Sequence, residues 1–326
     1  MLSAYSVQYY NASCYQQWNN FIANAKNATF LFHRDFMEYH QDRFEDASVL
    51  VFKQDKLVAI LPANKIGTTV FSHLGLTYGG LIYSAKLKFQ TVLQIFQKVL
   101  QFFYTEGFEQ LELKLLPSIY AKGPNQEQDY IMFLLQAKLV RRDMLSVISL
   151  SENLPFSKDR KDGVKRALKH HLVIKNDNNF TDFWQTILVP NLQQKYGVKP
   201  VHSAEEITLL HNRFPDNIKQ FNVYFNEKLV AGTTVFISNR VAHSQYISAT
   251  TDKNKLGSLD FLHHVLITET FKNKPYFDFG ISNENKGKQV NAGLVYWKEG
   301  FGARAIAQDF YSIPTANYNH LTNVML

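Results

Sequence analysis

Two stretches of the chain share one pattern of apolar and polar positions. In the first, Val49-Leu50-Val51-Phe52 leads through Lys53-Gln54-Asp55-Lys56 to Leu57-Val58-Ala59; in the second, Asn222-Val223-Tyr224-Phe225 leads through Asn226-Glu227-Lys228 to Leu229-Val230-Ala231. Short apolar runs on either side of a polar turn predict a β-hairpin, with the second strand running on through Ala59 to Pro62 in one copy and Gly232 to Ile237 in the other. Both copies carry the tetrapeptide Lys-Leu-Val-Ala. Beyond each hairpin the period changes. Phe89, Val92, Leu93, Phe96, Val99, Leu100 and Phe103 recur at spacings of three and four, the signature of an amphipathic helix, ahead of a strand at Leu111-Glu112-Leu113. Leu259, Leu262, Val265, Leu266 and Phe271 do the same ahead of Tyr276-Phe277-Asp278-Phe279.

The same elements in the same order, about half a chain apart, predict a duplication: two similar α/β domains with mixed (α+β) sheets, 1–150 and 151–326. The junction falls at Ser151-Glu152-Asn153-Leu154-Pro155, and a ligand cleft is expected between the halves. Composition agrees, since 326 residues with 45% apolar positions, 26 Phe and 17 Tyr can bury a large core and are not those of a disordered chain. The uncharged stretch from Ile66 to Ala85 is long enough to suggest a membrane span, but Gly67, Gly75, Gly79 and Gly80 break it into strands and turns. The start, Met1 to Gln8, shows neither a basic segment nor a continuous apolar run, so no export signal is visible and a soluble cytoplasmic protein is expected. The single cysteine, Cys14, excludes an internal disulfide framework and fits a reducing compartment.

The formal charge of +7 is unevenly spread: from Lys158 to Lys175 seven basic residues face two acidic ones. On a helix Lys158, Lys161, Lys165 and Lys169 share one face, with Arg166 beside it, and Val164, Ala167 and Leu168 are left to pack the other side. Such a face attracts phosphates, or it is a solvated surface kept soluble by lysines. The adjacent pairs His170-His171 and His263-His264 lack Cys or carboxylate partners at ligand spacing, so no metal is expected. The chain contains no Gly-x-Ser-x-Gly, P-loop or dinucleotide fingerprint.

Near the C-terminus Asp278-Phe279-Gly280 ends a strand, a polar loop runs from Ser282 to Lys288, and a short helix is predicted to carry Leu294 and Trp297 inward before Gly300 stops it. Lys298 falls in the last turn of that helix, where it either complements the helix's negative end or projects into a cleft. Here the chain resembles the GNAT superfamily, in the duplicated branch related to the Fem peptidoglycan-bridge transferases and the bacterial acetyltransferases grouped with them. The resemblance spans nearly the whole chain. It rests on the tandem organisation, the basic run Lys161-x-x-x-Lys165-Arg166-Ala167-x-Lys169, the Tyr246 strand leading to Gly257 through Asp260, and above all Trp297-Lys298-Glu299-Gly300-Phe301-Gly302. Phe32 to Tyr39 and Ser72 to Gly80 also look like members of this group.

The resemblance implies transfer of an acyl or aminoacyl group from a thioester or ester carrier to an amine. It points to Lys298 as the cation beside the developing oxyanion. Asp260 is a candidate base, or a charge that stabilises the start of its helix; Tyr246 is a candidate to polarise the leaving group or the amine, or a packing residue. Asn291 and Trp297 are candidates for substrate binding, with Asn291 equally able to cap the following helix. Arg34 and Tyr78 are candidate acceptor contacts from the first domain, or residues that cover its core rim. Lys253, Lys255, Gly257 and Ser258, with Lys165 and Arg166, are the expected holders of the donor's phosphates. The segment Asp252 to Leu259 departs from the ordinary GNAT loop, Gln/Arg-x-x-Gly-x-Gly/Ala, in lacking its second small residue, and Leu81 to Lys88 lacks the loop altogether. Acyl-coenzyme A, such as acetyl-coenzyme A, is therefore the expected donor in the second domain only, with an amine of a cell-envelope, sugar or peptide precursor as acceptor. Two alternatives stand beside this: a Fem-type ligase that uses aminoacyl-tRNA, and a non-catalytic binder of an anionic glycolipid precursor or a protein partner.

Overall fold

A computed structural model describes residues 5–152 and 154–325. The first four residues of the segment read for an export signal, and Asn153 of the junction, lie outside the described residues. The chain divides into two compact units, one made of Met1–Asp143 with Ala307–Leu326 and the other of Met144–Ile306.

In the first unit the Val49–Lys53 and Lys56–Leu61 strands form the first hairpin. Tyr5–Tyr9 flanks it on one side and Ile82–Tyr83 on the other, all antiparallel. The helix read from the 3.6-residue period is Phe89–Thr105, and six of its seven patterned residues, Val92 through Phe103, are buried. After it Gln110–Lys114 pairs in parallel with Thr69–Phe71 and antiparallel with residues 310–314 of the Arg304–Pro314 strand. The last twenty residues thus complete the first unit, with Ile313 and Leu321 in its core, where the sequence reading runs the second domain on to residue 326. A lone terminal strand carries no sign in its own pattern of which sheet it will join.

Arg34 and Tyr78 are tied into this unit. Arg34 is buried, pairs with Glu38 and Asp46, and lies 3.7 Å over the Tyr10 ring. The Tyr78 hydroxyl donates to Thr29 Oγ1 at 3.0 Å from a site only 4% exposed. Replacing Arg34 by Ala is expected to lower stability by about 2 kcal/mol, measured by urea unfolding, because two carboxylates lose their charge-assisted partner and an aromatic pocket loses its filling.

The second unit repeats the order. Val173–Lys175, Ile218–Phe225, Lys228–Ile237 and Val241–Ala249 run antiparallel to their neighbours, Tyr276–Ile281 joins Val241–Ala249 in parallel, and residues 145–149 pair antiparallel with Tyr276–Ile281. The two units therefore share a hairpin, a long helix, a parallel strand pair and an antiparallel strand that closes the far side. The helix expected around Leu259 to Phe271 is the α-helix Ser258–Val265, continued by a π-helical turn, Leu266–Thr270.

The basic segment is the helix Lys158–Lys169, N-capped by Ser157 and packed on Ser258–Val265. It buries Gly163 and, of the expected apolar trio, Ala167, while Val164 is partly exposed and Leu168 is 56% exposed, so small residues form most of its contact face. Gly163 is required there: a Cβ on it would fall 1.9 Å from Asp260 Oδ2. No helix among the described residues is long and apolar enough to cross a membrane.

Candidate active site

The second unit contains a cavity of about 660 Å³. Its origin is in the parallel strand pair. Val241–Ala249 and Tyr276–Ile281 are paired only from Val241 with Tyr276 to His243 with Asp278, and beyond that point they part. Ser244, Gln245, Ile247, Ser248 and Ala249 line one wall and Phe279 and Ile281 the other. The parting is assisted on the first strand by an irregularity opposite Thr234 and Val235, which adds Gln245 to the strand, and on the second by Gly280, whose φ of 69° turns the backbone. Asp278 holds that turn by accepting from the Gly280 amide at 2.7 Å, and its other oxygen lies 3.1 Å from His243 Nδ1.

The turn presents two carbonyl oxygens to Lys298. This lysine lies in the helix Ala292–Glu299, is 2% exposed, and donates to Gly280 O at 3.0 Å and Ile281 O at 2.7 Å. An ammonium has three donors, so one remains for the cavity that Lys298 lines. Burial pulls its pKa down to about 8, partly opposed by the Asp278 charge, so at neutral pH it is mostly a cation. Leu294, expected to point inward, is 37% exposed at the cavity wall, and Lys298 is the residue that the helix buries most deeply. Asn291 caps this helix by accepting from the Leu294 amide at 3.1 Å, and lines the cavity as well.

Asp260 and Trp297 meet at the same wall. Asp260 Oδ1 accepts from the Trp297 indole at 3.0 Å and from Arg160, and all three residues line the cavity. Burial raises the pKa of Asp260, while Arg160 and the indole N–H pull it back toward the carboxylate range. The pair ties the Ser258–Val265 helix to the helix of Lys298.

The other expected residues sit differently. Tyr246 does not line the cavity: its hydroxyl is 2.6 Å from His202 Nδ1 and its ring packs on Trp184. Lys253 lines the cavity, whereas Lys255, Lys165 and Arg166 are exposed, with Lys165 paired to Asp162 and Arg166 donating to Asn254 O. Gly257 adopts φ 70° between two helical segments, and a Cβ there would fall 2.0 Å from the Gly163 carbonyl oxygen. Its role in the fold is close helix approach, because the basic helix packs its Gly163 backbone against this turn. Ser258, beside it, is fully buried. Arg34 and Tyr78 belong to the first unit and take no part in this cavity.

Sequence reasoning missed a whole wall. Leu188, Asn191, Leu192 and Lys195 line the cavity from one helical face, and Asn191 Nδ2 anchors that face to Ser248 Oγ at 2.8 Å and Ala249 O at 2.7 Å. The signal is the spacing 188, 191, 192, 195, which the π turn Trp184–Leu188 separates from the periodicity of the preceding helix Phe180–Phe183. Among the described residues no group of three or more His, Cys, Asp or Glu could hold a metal ion.

The architecture has close parallels in solved structures. FemX superposes with a TM-score of 0.68 at 9% identity, over 97% of this chain and 99% of that one. The fold is therefore similar to that of FemX. A conserved protein of unknown function from Bacteroides thetaiotaomicron superposes with a TM-score of 0.61 at 10% identity, over 94% of this chain and 99% of that one. L-PGS from Bacillus licheniformis does so with a TM-score of 0.57 at 8% identity, over 92% and 91%. No family model matches the sequence, and no curated protein matches it either.

Proposed function

We propose that the chain is an N-acyltransferase that moves an acyl group from acyl-coenzyme A to an amine of a cell-envelope, sugar or peptide precursor, with the chemistry in the cavity of the second unit. The observation that carries this is the Lys298 ammonium, fixed by two backbone carbonyls at the point where two parallel strands part. Attack of a neutral amine on a thioester carbonyl creates an oxyanion, and a buried cation with a free donor stabilises that charge far more than it would in water. The thiolate leaves as the tetrahedral intermediate collapses, and the proton lost by the nitrogen must pass to a base. Asp260 is the carboxylate at the cavity wall, held by Arg160 and Trp297. The parted strands support the donor: the side of Val241–Ala249 that faces the cavity beyond His243 makes no ladder with Tyr276–Ile281, which suits an extended arm bearing amides.

One observation favours the Fem-type alternative with aminoacyl-tRNA as donor. The Gly163 backbone covers the Gly257 turn, and the basic helix that does so exposes Lys158, Lys161, Lys165 and Lys169. Incubating the protein with a panel of amines and either acetyl-coenzyme A or aminoacyl-tRNA separates the two. Amide formation from the thioester supports the first reading, formation from the charged tRNA alone supports the second, and none with either leaves a binding protein.

A further inference from the structure

The first unit supplies a comparison for the parting of the strands. Its parallel pair ends in register at Phe71 with Glu112, and the pair of the second unit ends at His243 with Asp278. Two residues further on the first unit has Lys114 and the second has Gly280. In the first unit the strands come back together, for the Gly79 amide donates to Lys114 O at 2.7 Å and Gly79 bridges in parallel to Leu115. Lys114 Nζ donates to Leu74 O at 3.0 Å and Leu76 O at 2.6 Å, tying down the chain that runs between those contacts. In the second unit the register stops at Asp278, and the cavity begins there.

The residues that differ at this point are clamped to one another. Asp278 is 1% exposed; one of its oxygens accepts from the Gly280 amide, an Asx-type turn, and the other lies 3.1 Å from Nδ1 of His243, its own register partner. A Cβ on Gly280 would press on His243 Cε1 at 3.0 Å. The turn is therefore fixed from both strands, and the two carbonyls it turns out, Gly280 O and Ile281 O, are those that hold Lys298. The charges around Lys298 single out the same carboxylate. Arg160, Lys195, Lys253 and Asp260 line the cavity with it, and Asp260 is paired with Arg160. His263, on the Ser258–Val265 helix, is neutral, since burial and then the Lys298 charge push its pKa down to about 4. Asp278 is the carboxylate whose charge opposes the loss of the Lys298 proton.

We propose that Asp278 is a positioning residue for the reaction: held between His243 and the Gly280 amide, it aims the Gly280 and Ile281 carbonyls at Lys298 and supplies the buried negative charge that keeps that side chain a cation. The proposal rests on the acyl-transfer reading for the reaction, whereas the hold of Asp278 on Lys298 is a property of the protein alone. In the first unit the matching positions are Phe71, Glu112 and Lys114, which neither form this turn nor leave the strands apart.

The test is the titration of the Lys298 ammonium itself, followed by NMR in the full chain carrying isotopically labelled lysine and assigned by the signal lost in Lys298→Arg. The parent is compared with Asp278→Asn, Asp278→Ser and Asp260→Asn. Asn and Ser both keep an oxygen that can accept from the Gly280 amide while removing the charge, so either serves if the other fails to fold, and a circular dichroism melt shows which are folded. The parent midpoint is expected at about 8. Loss of a nearby opposite charge should lower it by about one pH unit or more in both Asp278 variants, and by less in Asp260→Asn, whose charge is taken up by Arg160. Turnover should follow: the decline toward high pH moves down with the midpoint, kcat at neutral pH falls, and KM for the donor stays close to the parent. A merely structural role would lower stability and leave the midpoint where it was, and that result overturns the proposal. So does a shift as large in Asp260→Asn, or a pH profile that does not move with the midpoint. A midpoint that falls in a protein without turnover keeps the hold of Asp278 on Lys298 and removes the acyl-transfer reading instead.

Discussion

Replacing Lys298 by Ala is expected to lower turnover by about a hundredfold to a thousandfold, the cost of removing one preorganised donor from an oxyanion site, with a smaller change in KM for the donor. The substitution also strips Gly280 O and Ile281 O of their partner, so stability should fall by about 1–3 kcal/mol, and the rates must be compared at a temperature where both proteins are folded. The pH profile separates the catalytic effect from the structural one. With its pKa pulled down to about 8, Lys298 loses its charge as pH rises through that value, and turnover in the parent should decline there. Lys298→Arg keeps a cation at all accessible pH and should lack that decline, even if its overall rate is lower. A parent rate that climbs steadily through pH 8 and beyond, in parallel with the Arg variant, would contradict the role. Stability has the opposite sign. The unfolded chain holds this proton up to about 10.5 and the folded chain only to about 8, so between those values the unfolded state binds more protons and the fold gains stability as pH rises.

Gly257→Ala should be the most damaging single-methyl addition in the second unit. Its φ of 70° is strained for any residue with a Cβ, and the added carbon would meet a backbone oxygen of Gly163 at 2.0 Å, which no side-chain rotation can relieve. Left-handed strain contributes about 1–2 kcal/mol and overpacking about 1–3 kcal/mol, so a loss of roughly 3 kcal/mol is expected in denaturant unfolding. Gly293→Ala, whose nearest neighbour is an Asn291 oxygen 3.8 Å away, serves as the contrast and should be tolerated. If the two variants unfold alike, the close approach of the basic helix to the Gly257 turn is not a stabilising feature of the fold.

The duplication was legible because hairpins and amphipathic helices are written locally: Val49 to Ala59 and Asn222 to Ala231 each specify two strands and a turn, and Phe89 to Phe103 fixes a buried stripe. What could not be read is what needs two distant segments at once. Nothing near Lys298 says that its side chain will be capped by the carbonyls of Gly280 and Ile281, because those oxygens become available only through a turn set by Gly280 and Asp278. The motif around Trp297 and Lys298 falls on a helix that lines the cavity, but the pattern assigns Leu294 and Trp297 to its inward side, whereas Lys298 is the residue buried most deeply. In sequence Gly257 reads as part of a phosphate-holding segment and Gly163 carries no sign of a role; the two prove to be a matched pair only when the helices touch. Lys195 is hard to read for another reason: the helical spacing 188, 191, 192, 195 is cut off by the π turn Trp184–Leu188 from the periodicity of the helix before it. Tyr246 and Arg34 were drawn in by their chemistry, and each is bound to a partner elsewhere in its own unit.

The central claim is that the Lys298 ammonium faces the reacting carbonyl. The most direct measurement is a crystal structure of the protein with a phosphonate analogue of the tetrahedral intermediate, its charged oxygens standing in for the oxyanion. The account predicts one phosphonate oxygen within about 3 Å of Lys298 Nζ, inside the cavity between Ser248 and Phe279. An analogue bound elsewhere, with Lys298 still bonded to Gly280 and Ile281 alone, would contradict it.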